Sequence, residues 1–260
     1  MLELYTSEPN TFFLKPLIAL HEKQAAFELH WFDADQLEQF SPGFSGDVEA
    51  HLHLEREGPL LLHDGELISS SYFMLEYLAE ILPGTPLLPV TPFDQYCARA
   101  SAQFLGAHLG ALVPVLGCAK YLAPRLAARR GELAATIDAI EPIERRAGFR
   151  ALLDGTYTPE ILATARERLK LPVARVEKTL ARGPWLVGPD YSIADIDAFA
   201  MLRVIEDLAP EIVNGDATPN ILNYVSRISA RPAVRAALAI SRSGKPEQHF
   251  VPGVEPSRWG

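Results

Sequence analysis

The chain has 260 residues, of which 48% are hydrophobic and 22% charged, a balance that excludes long disorder, fibrous repeats and low-complexity sequence. At ~100–200 residues per domain, that length corresponds to one large domain or two small ones. Its 24 basic and 33 acidic residues leave a formal net charge of −9, which argues against a nucleic-acid or anionic-lipid surface, because phosphate binding needs concentrated Lys and Arg.

The chain opens on Met1-Leu-Glu-Leu-Tyr5, with an acid where a secretory signal carries basic residues, so export is not expected. Leu2 and Leu4 predict a short strand that runs into a polar turn at residues 6–10. Phe13, Leu14, Leu17, Ile18, Leu20 and His21 fall at helical spacing, with Pro16 tolerable near the first turn. Residues 27–32 alternate again as a second strand. Leu60-Leu-Leu62, His63-Asp64-Gly65 and Glu66-Leu-Ile68 predict a hairpin in which Asp-Gly supplies the positive-φ turn. Ser70 and Ser71 then precede Phe73, Met74, Tyr77, Leu78, Ile81 and Leu82, an amphipathic helix with a hydroxyl cap.

Prolines at 83, 86, 89 and 92 mark a stiff linker, so residues 1–83 form one domain and residues 84–92 the connection to the next. Beyond it, segments 93–119, 121–146, 159–181, 192–208, 220–229 and 233–240 all read as helices between Gly and Pro breakers. Ser192-Ile-Ala-Asp195 is an acidic capping box. Residues 241–260 are polar and Pro-rich and are expected to lie on the surface as a tail. The longest apolar runs, such as 110–119, contain Gly or Pro and fall short of the ~20 residues a spanning helix needs. Cys97 and Cys118 cannot build a disulfide framework or a Cys-x-x-Cys pair, and their apolar helical surroundings place them in the core. A cytoplasmic protein with no membrane or nucleic-acid partner is expected.

A small α/β domain, a proline linker and an all-helical domain resemble the layout of the glutathione transferases. Glu57-Gly58-Pro59-Leu60 stands where that family begins its third strand with a cis-proline. Ser69-Ser70-Ser71 and the following helix resemble the family's third helix, Tyr191-Ser-Ile-Ala-Asp195-Ile its capping box, and Arg231-Pro232-Ala-Val a late helical motif. Val173-Ala-Arg-Val-Glu177-Lys-Thr-Leu180, Val213-Asn214, Thr218-Pro219, Arg227-Ile-Ser-Ala-Arg231, Lys15-Pro16-Leu17 and His21-Glu22-Lys23 further resemble the bacterial β-etherases, which cleave the β-aryl ether of lignin-derived dimers with glutathione.

The resemblance implies a thioredoxin-like α/β domain over 1–83, an all-α domain over 93–240, and glutathione as co-substrate. It also implies a binding role for four residues. The backbone of Gly58, before Pro59, pairs with the cysteinyl unit like an added strand, and Ser70 and Ser71, at a helix start, receive the γ-glutamyl carboxylate. Three departures stand against chemistry by this chain. The thiolate donor of β-etherases, a Ser often beside an Asn, corresponds here to Phe12 and Phe13, neither of which can donate to sulfur. The acid that takes the γ-glutamyl ammonium is replaced by Ser70. The approach to the cis-proline, His53-Leu-Glu-Arg-Glu-Gly58, departs from the Asn-Pro-x-Gly-x-Val-Pro pattern. Ser7, Asn10 and Thr11 lie in the same turn as fallback donors. The expected role is the non-catalytic subunit of a heterodimeric β-etherase, paired with a related catalytic transferase chain. The alternatives are an active homodimer using Ser7, Asn10 or Thr11, and a non-enzymatic transferase-like interaction domain. His51 and His53, alternating with leucines, lack a third ligand for a metal site and are expected at a surface or interface.

Overall fold

The computed structural model describes residues 1–40, 58–141 and 143–252. β1 (Leu2–Thr6) alternates buried and half-buried residues, as period-2 patterning requires when one face is packed. α1 (Thr11–Glu22) follows, and β2 (Glu28–Trp31) pairs parallel to β1 with Glu3 opposite Glu28. β3 (Leu60–His63) runs antiparallel to β1, with Leu4 opposite Leu61, and forms a hairpin with β4 (Glu66–Ile68). The sheet order is β2-β1-β3-β4. Both turn residues, Asp64 at φ 52° and Gly65 at φ 88°, take the positive φ that a two-residue hairpin turn needs.

α1 is apolar on nearly every side, and it packs against α2 (Ser71–Ile81), α8 (Ile193–Leu202) and α11 (Pro232–Ala239). Pro16 sits in its second turn. The residues that resemble β-etherases here act as ties. Lys15 Nζ reaches Asp197 Oδ1 at 2.7 Å, both buried. Lys23 Nζ takes the carbonyls of Ala79 and Leu82 at 3.0 and 2.8 Å, closing the end of α2. Glu22 accepts two bonds from Arg231, at 2.5 and 3.0 Å, and the same guanidinium lies 3.8 Å over the Tyr191 ring. Arg231→Ala strands a buried carboxylate, so a loss of about 2 kcal/mol is expected as a lower urea midpoint at unchanged slope; a midpoint equal to the unmodified chain's counts against this tie.

The proline-rich connection is docked rather than free. Leu87 is buried in the main core, and its carbonyl accepts from Ile193 N at 2.9 Å. α3 (Pro92–Gly117) begins with a Thr91 cap. A π-helical turn (Cys118–Leu122) joins it to α4 (Ala123–Ala128). The continuous stretch Pro92–Ala128 therefore exceeds the separate apolar runs and is long and apolar enough to cross a membrane by length and composition alone. Half of its most apolar 18-residue window is buried within the protein, where α3 packs on α7 (Pro159–Leu180) and α8 as a core helix.

The single helix expected over 121–146 is instead broken into α4, α5 (Arg130–Asp138) and α6 (Ile143–Leu153). Arg129, at φ −117° and ψ 22°, interrupts the helical ladder. α9 (Ile205–Leu208) and α10 (Pro219–Ser229) complete the helical half. Glu177 on α7 caps α10, accepting from Asn220 N and Ile221 N at 3.1 and 2.9 Å. At the start of α8, Ser192 and Asp195 form the expected capping box, with Ser192 N donating to Asp195 Oδ2 at 2.9 Å.

The segment after α11 departs from expectation. Of the expected surface tail over 241–260, residues 253–260 lie outside the described residues; residues 242–245 are exposed, but Pro246, Phe250, Val251 and Pro252 are buried. Polarity of composition hid a short apolar run whose burial depends on a groove distant in sequence.

Candidate functional site

The start of α1 and the loop entering β3 meet where the resemblance places its thiol ligand. The Gly58–Pro59 bond is cis, and Gly58 has φ 61°, in the left-handed region that favours glycine. A Cβ at Gly58 would stand 2.9 Å from the Phe13 ring and 3.0 Å from the Phe32 ring. The two rings meet edge to face at 5.7 Å. Phe13, Phe32, Ala34 and Val251 form one buried apolar cluster. The corner opposite the cis-proline is thus filled with carbon.

Phe12 turns the other way. Its ring lies under Lys15 Nζ at 5.1 Å and in van der Waals reach of Gly110 on α3. Neither phenylalanine has a donor, and an apolar wall disfavours a thiolate.

The fallback residues are placed in structural contacts. Ser7 Oγ accepts from Ala34 N at 3.3 Å. Asn10 donates to the His249 carbonyl and accepts from Arg203 Nη1, each at 2.9 Å. Thr11 starts α1 with φ 43° and is buried. Asn10 therefore spends its amide on holding the fold, whereas Ser7 is shown only as an acceptor.

The hydroxyl cap expected at α2 is not formed by Ser70. It sits at φ 67° and ψ 115° and makes no side-chain cap bond, because a capping hydroxyl reaches the first turn only from an extended backbone. Ser71 begins the helix and is buried. The helix start keeps the anion-friendly amides of any N-terminus. Beside Gly58 the Phe13 and Phe32 rings leave no room for a Cβ, and neither ring offers a hydrogen-bond donor.

Cys118 is buried, and burial pushes its thiol well above the ordinary value, so it is a core residue as expected. Cys97 is half-buried against Val187 and Ala194. Among the described residues, Glu3, Glu28 and His30 could offer three ligand atoms on the sheet, with His30 Nε2 at 3.2 and 3.5 Å from the two carboxylates. His51, His53 and the residues before Gly58 lie outside the described residues. Phe32, Glu8, Arg203 and Val251 escaped sequence reasoning. Only Glu8, an acid inside a polar turn, carried any local signal.

Residues 138–232 match the family described as Glutathione S-transferase, C-terminal domain. The chain is 30% identical over 243 residues to Protein LigF of Sphingobium sp. (strain NBRC 103272 / SYK-6), covering 90% of this chain and 91% of the relative. The crystal structure of the β-etherase LigF from Sphingobium sp. strain SYK-6 superposes with a TM-score of 0.82 at 29% identity, over 92% of this chain and 99% of that one. A glutathione transferase from Pseudomonas putida, solved with one glutathione disulfide per subunit, shares the fold at a TM-score of 0.67 and 23% identity, over 92% and 91% of the two chains.

Proposed function

The chain belongs to the glutathione transferase superfamily, and from that premise we propose that it is the non-catalytic subunit of a glutathione-dependent β-etherase. In this reading a related transferase chain supplies the thiolate, and the substrate is an aromatic β-aryl ether derived from lignin. One observation carries the proposal: Phe13 stands at the donor position, with Phe32 and Gly58 packed against it. The likeness to LigF supports the reaction class. The β-etherase-like residues that remain are ties between helices, such as Lys15–Asp197, Glu22–Arg231 and Glu177–Asn220. The scaffold is kept while the donor is lost. A cytoplasmic location is part of the same proposal.

A surface for the partner subunit is available. Phe73 on α2 and Phe93 and Tyr96 on α3 are 62%, 71% and 63% exposed, and Val90 just before α3 is 86% exposed. The Arg99–Glu76 pair, at 2.6 Å, sets these faces of α2 and α3 side by side. A contiguous apolar patch of this kind favours a protein partner.

The test is co-expression with a related chain that carries Ser at the Phe13 position. A one-to-one heterodimer with turnover is expected, and Phe93→Glu with Tyr96→Glu should weaken it more than tenfold while leaving the helical signal unchanged. A homodimer of this chain that cleaves the ether at the pair's rate overturns the proposal.

A further inference from the structure

We infer that the cleft between the sheet half and the helical half is a peptide-binding groove whose occupant is the chain's own segment 241–252. The inference rests on the proposed loss of the thiol site and names what stands in its place.

The segment is gripped at its start, at its middle and at its end. Glu8, just past β1, is buried, and its carboxylate accepts from Ser241 Oγ at 2.6 Å, Arg242 N at 3.0 Å and Ser243 N at 2.8 Å. A buried carboxylate demands such donors, and here the segment provides all three. Farther along, Arg125 donates to the Gln248 carbonyl, Asn10 to that of His249, and the buried Arg145 to that of Pro252 at 2.7 Å. Asn10 comes from the sheet half and the two arginines from the helical half. The backbone of the segment is thus read from both walls, as a bound peptide's would be.

Side chains enter fitted slots. A Cβ at Gly117 would stand 2.4 Å from the Phe250 ring, so that ring occupies space that only glycine leaves open. The ring lies parallel to Tyr121 at 6.2 Å. Pro252 passes Gly148 in the same manner, 3.1 Å from where a Cβ would stand. Between them Val251 joins Phe13, Phe32 and Ala34. Two glycine slots, three side-chain donors to the segment's carbonyls and a carboxylate accepting three bonds describe a built site, not a tail collapsed on a surface. The occupant closes the corner beside Gly58 and latches the β1–α1 turn to α3, α4 and α6.

Hydrogen exchange on the full chain tests this directly. The amides of Arg242 and Ser243, bonded to Glu8, and those of Gln248 and His249, bonded within the segment's own turn, are expected to exchange at least a hundredfold more slowly than in a free peptide. An anilinonaphthalene sulfonate dye is expected to find no saturable site. Phe250→Ser should release the segment, raise its exchange more than tenfold and create one saturable dye site, with the amides of α10 and α11 still protected. Gly117→Ala should do the same although alanine favours a helix. Should either variant fail to fold, Val251→Asp probes the same cluster from the segment itself. Exchange at free-peptide rates in the unmodified chain, or equal dye binding with and without Phe250, overturns the inference. A glutathione titration of Phe250→Ser separates the two readings. Continued absence of binding upholds the lost thiol site, whereas saturable binding overturns that loss and leaves the groove standing.

Discussion

Purified alone and given glutathione with a β-aryl ether, the chain is expected to turn over roughly 10⁴-fold more slowly than a catalytic relative. Two separate losses set that figure. Removing a donor that stabilises a developing or resident anion costs about 10²–10³ in rate. The missing charge-assisted contact to the γ-glutamyl ammonium, where Ser70 replaces an acid, removes roughly 1.5–3 kcal/mol of binding, another tenfold or more. The thiol must also enter a corner walled by Phe13, Phe32 and Val251, where an uncompensated thiolate is disfavoured. Phe13→Ser alone should stay within about tenfold of the unmodified chain, since residues that act as a unit are not rescued one at a time. Steady-state rates for the chain, for Phe13→Ser and for the co-expressed pair decide the matter. Full activity of the isolated chain would return Ser7, Asn10 and Thr11 to consideration as donors.

The second large effect is structural. Asp195 is fully buried and accepts from Leu186 N and Ser192 N at 2.9 Å and from the Tyr224 hydroxyl at 3.1 Å. Asp195→Ala strands these donors inside the helical half and is expected to cost about 3–5 kcal/mol, read as a lower urea midpoint. The residue also predicts a pH dependence. Burial pushes its carboxyl up from an ordinary 3.8 to about 6, against the pull of its hydrogen bonds. A carboxyl raised in the folded state contributes stability that is fully present below the unfolded value and is lost as pH rises through the folded one. Between about pH 4 and pH 6 the unmodified chain should therefore lose up to roughly 3 kcal/mol relative to Asp195→Asn. A flat difference across that window would show that the hydrogen bonds, not burial, set its titration.

Much of the architecture was legible because local rules and packing agree. Alternation at Leu2 and Leu4, the Asp64-Gly65 turn and the Ser192-Asp195 box each have a cause within a few residues, and each appears where those residues stand. The family resemblance was equally legible, since its motifs are ties that any member of this scaffold needs. Ser70 is the instructive failure. Serine before an amphipathic run signals a cap, but the cap needs an extended backbone, and Ser70 stands at φ 67° where β4 runs into α2. The break at Arg129 was hidden for a related reason, because composition along residues 121–146 stays helical while the path of the chain does not.

Residue type and spacing were enough to set the two-part scaffold and to put two apolar rings, Phe12 and Phe13, at the start of α1. What those rings meet depended on the approach of distant segments. The Phe13 ring meets Gly58 across 45 positions of sequence, and the segment at 241–252 finds Glu8, Asn10 and the Gly117 slot across more than a hundred. No local pattern encodes such a fit, because a slot exists only once two distant backbones have approached and a side chain absent from one makes room for a ring on the other.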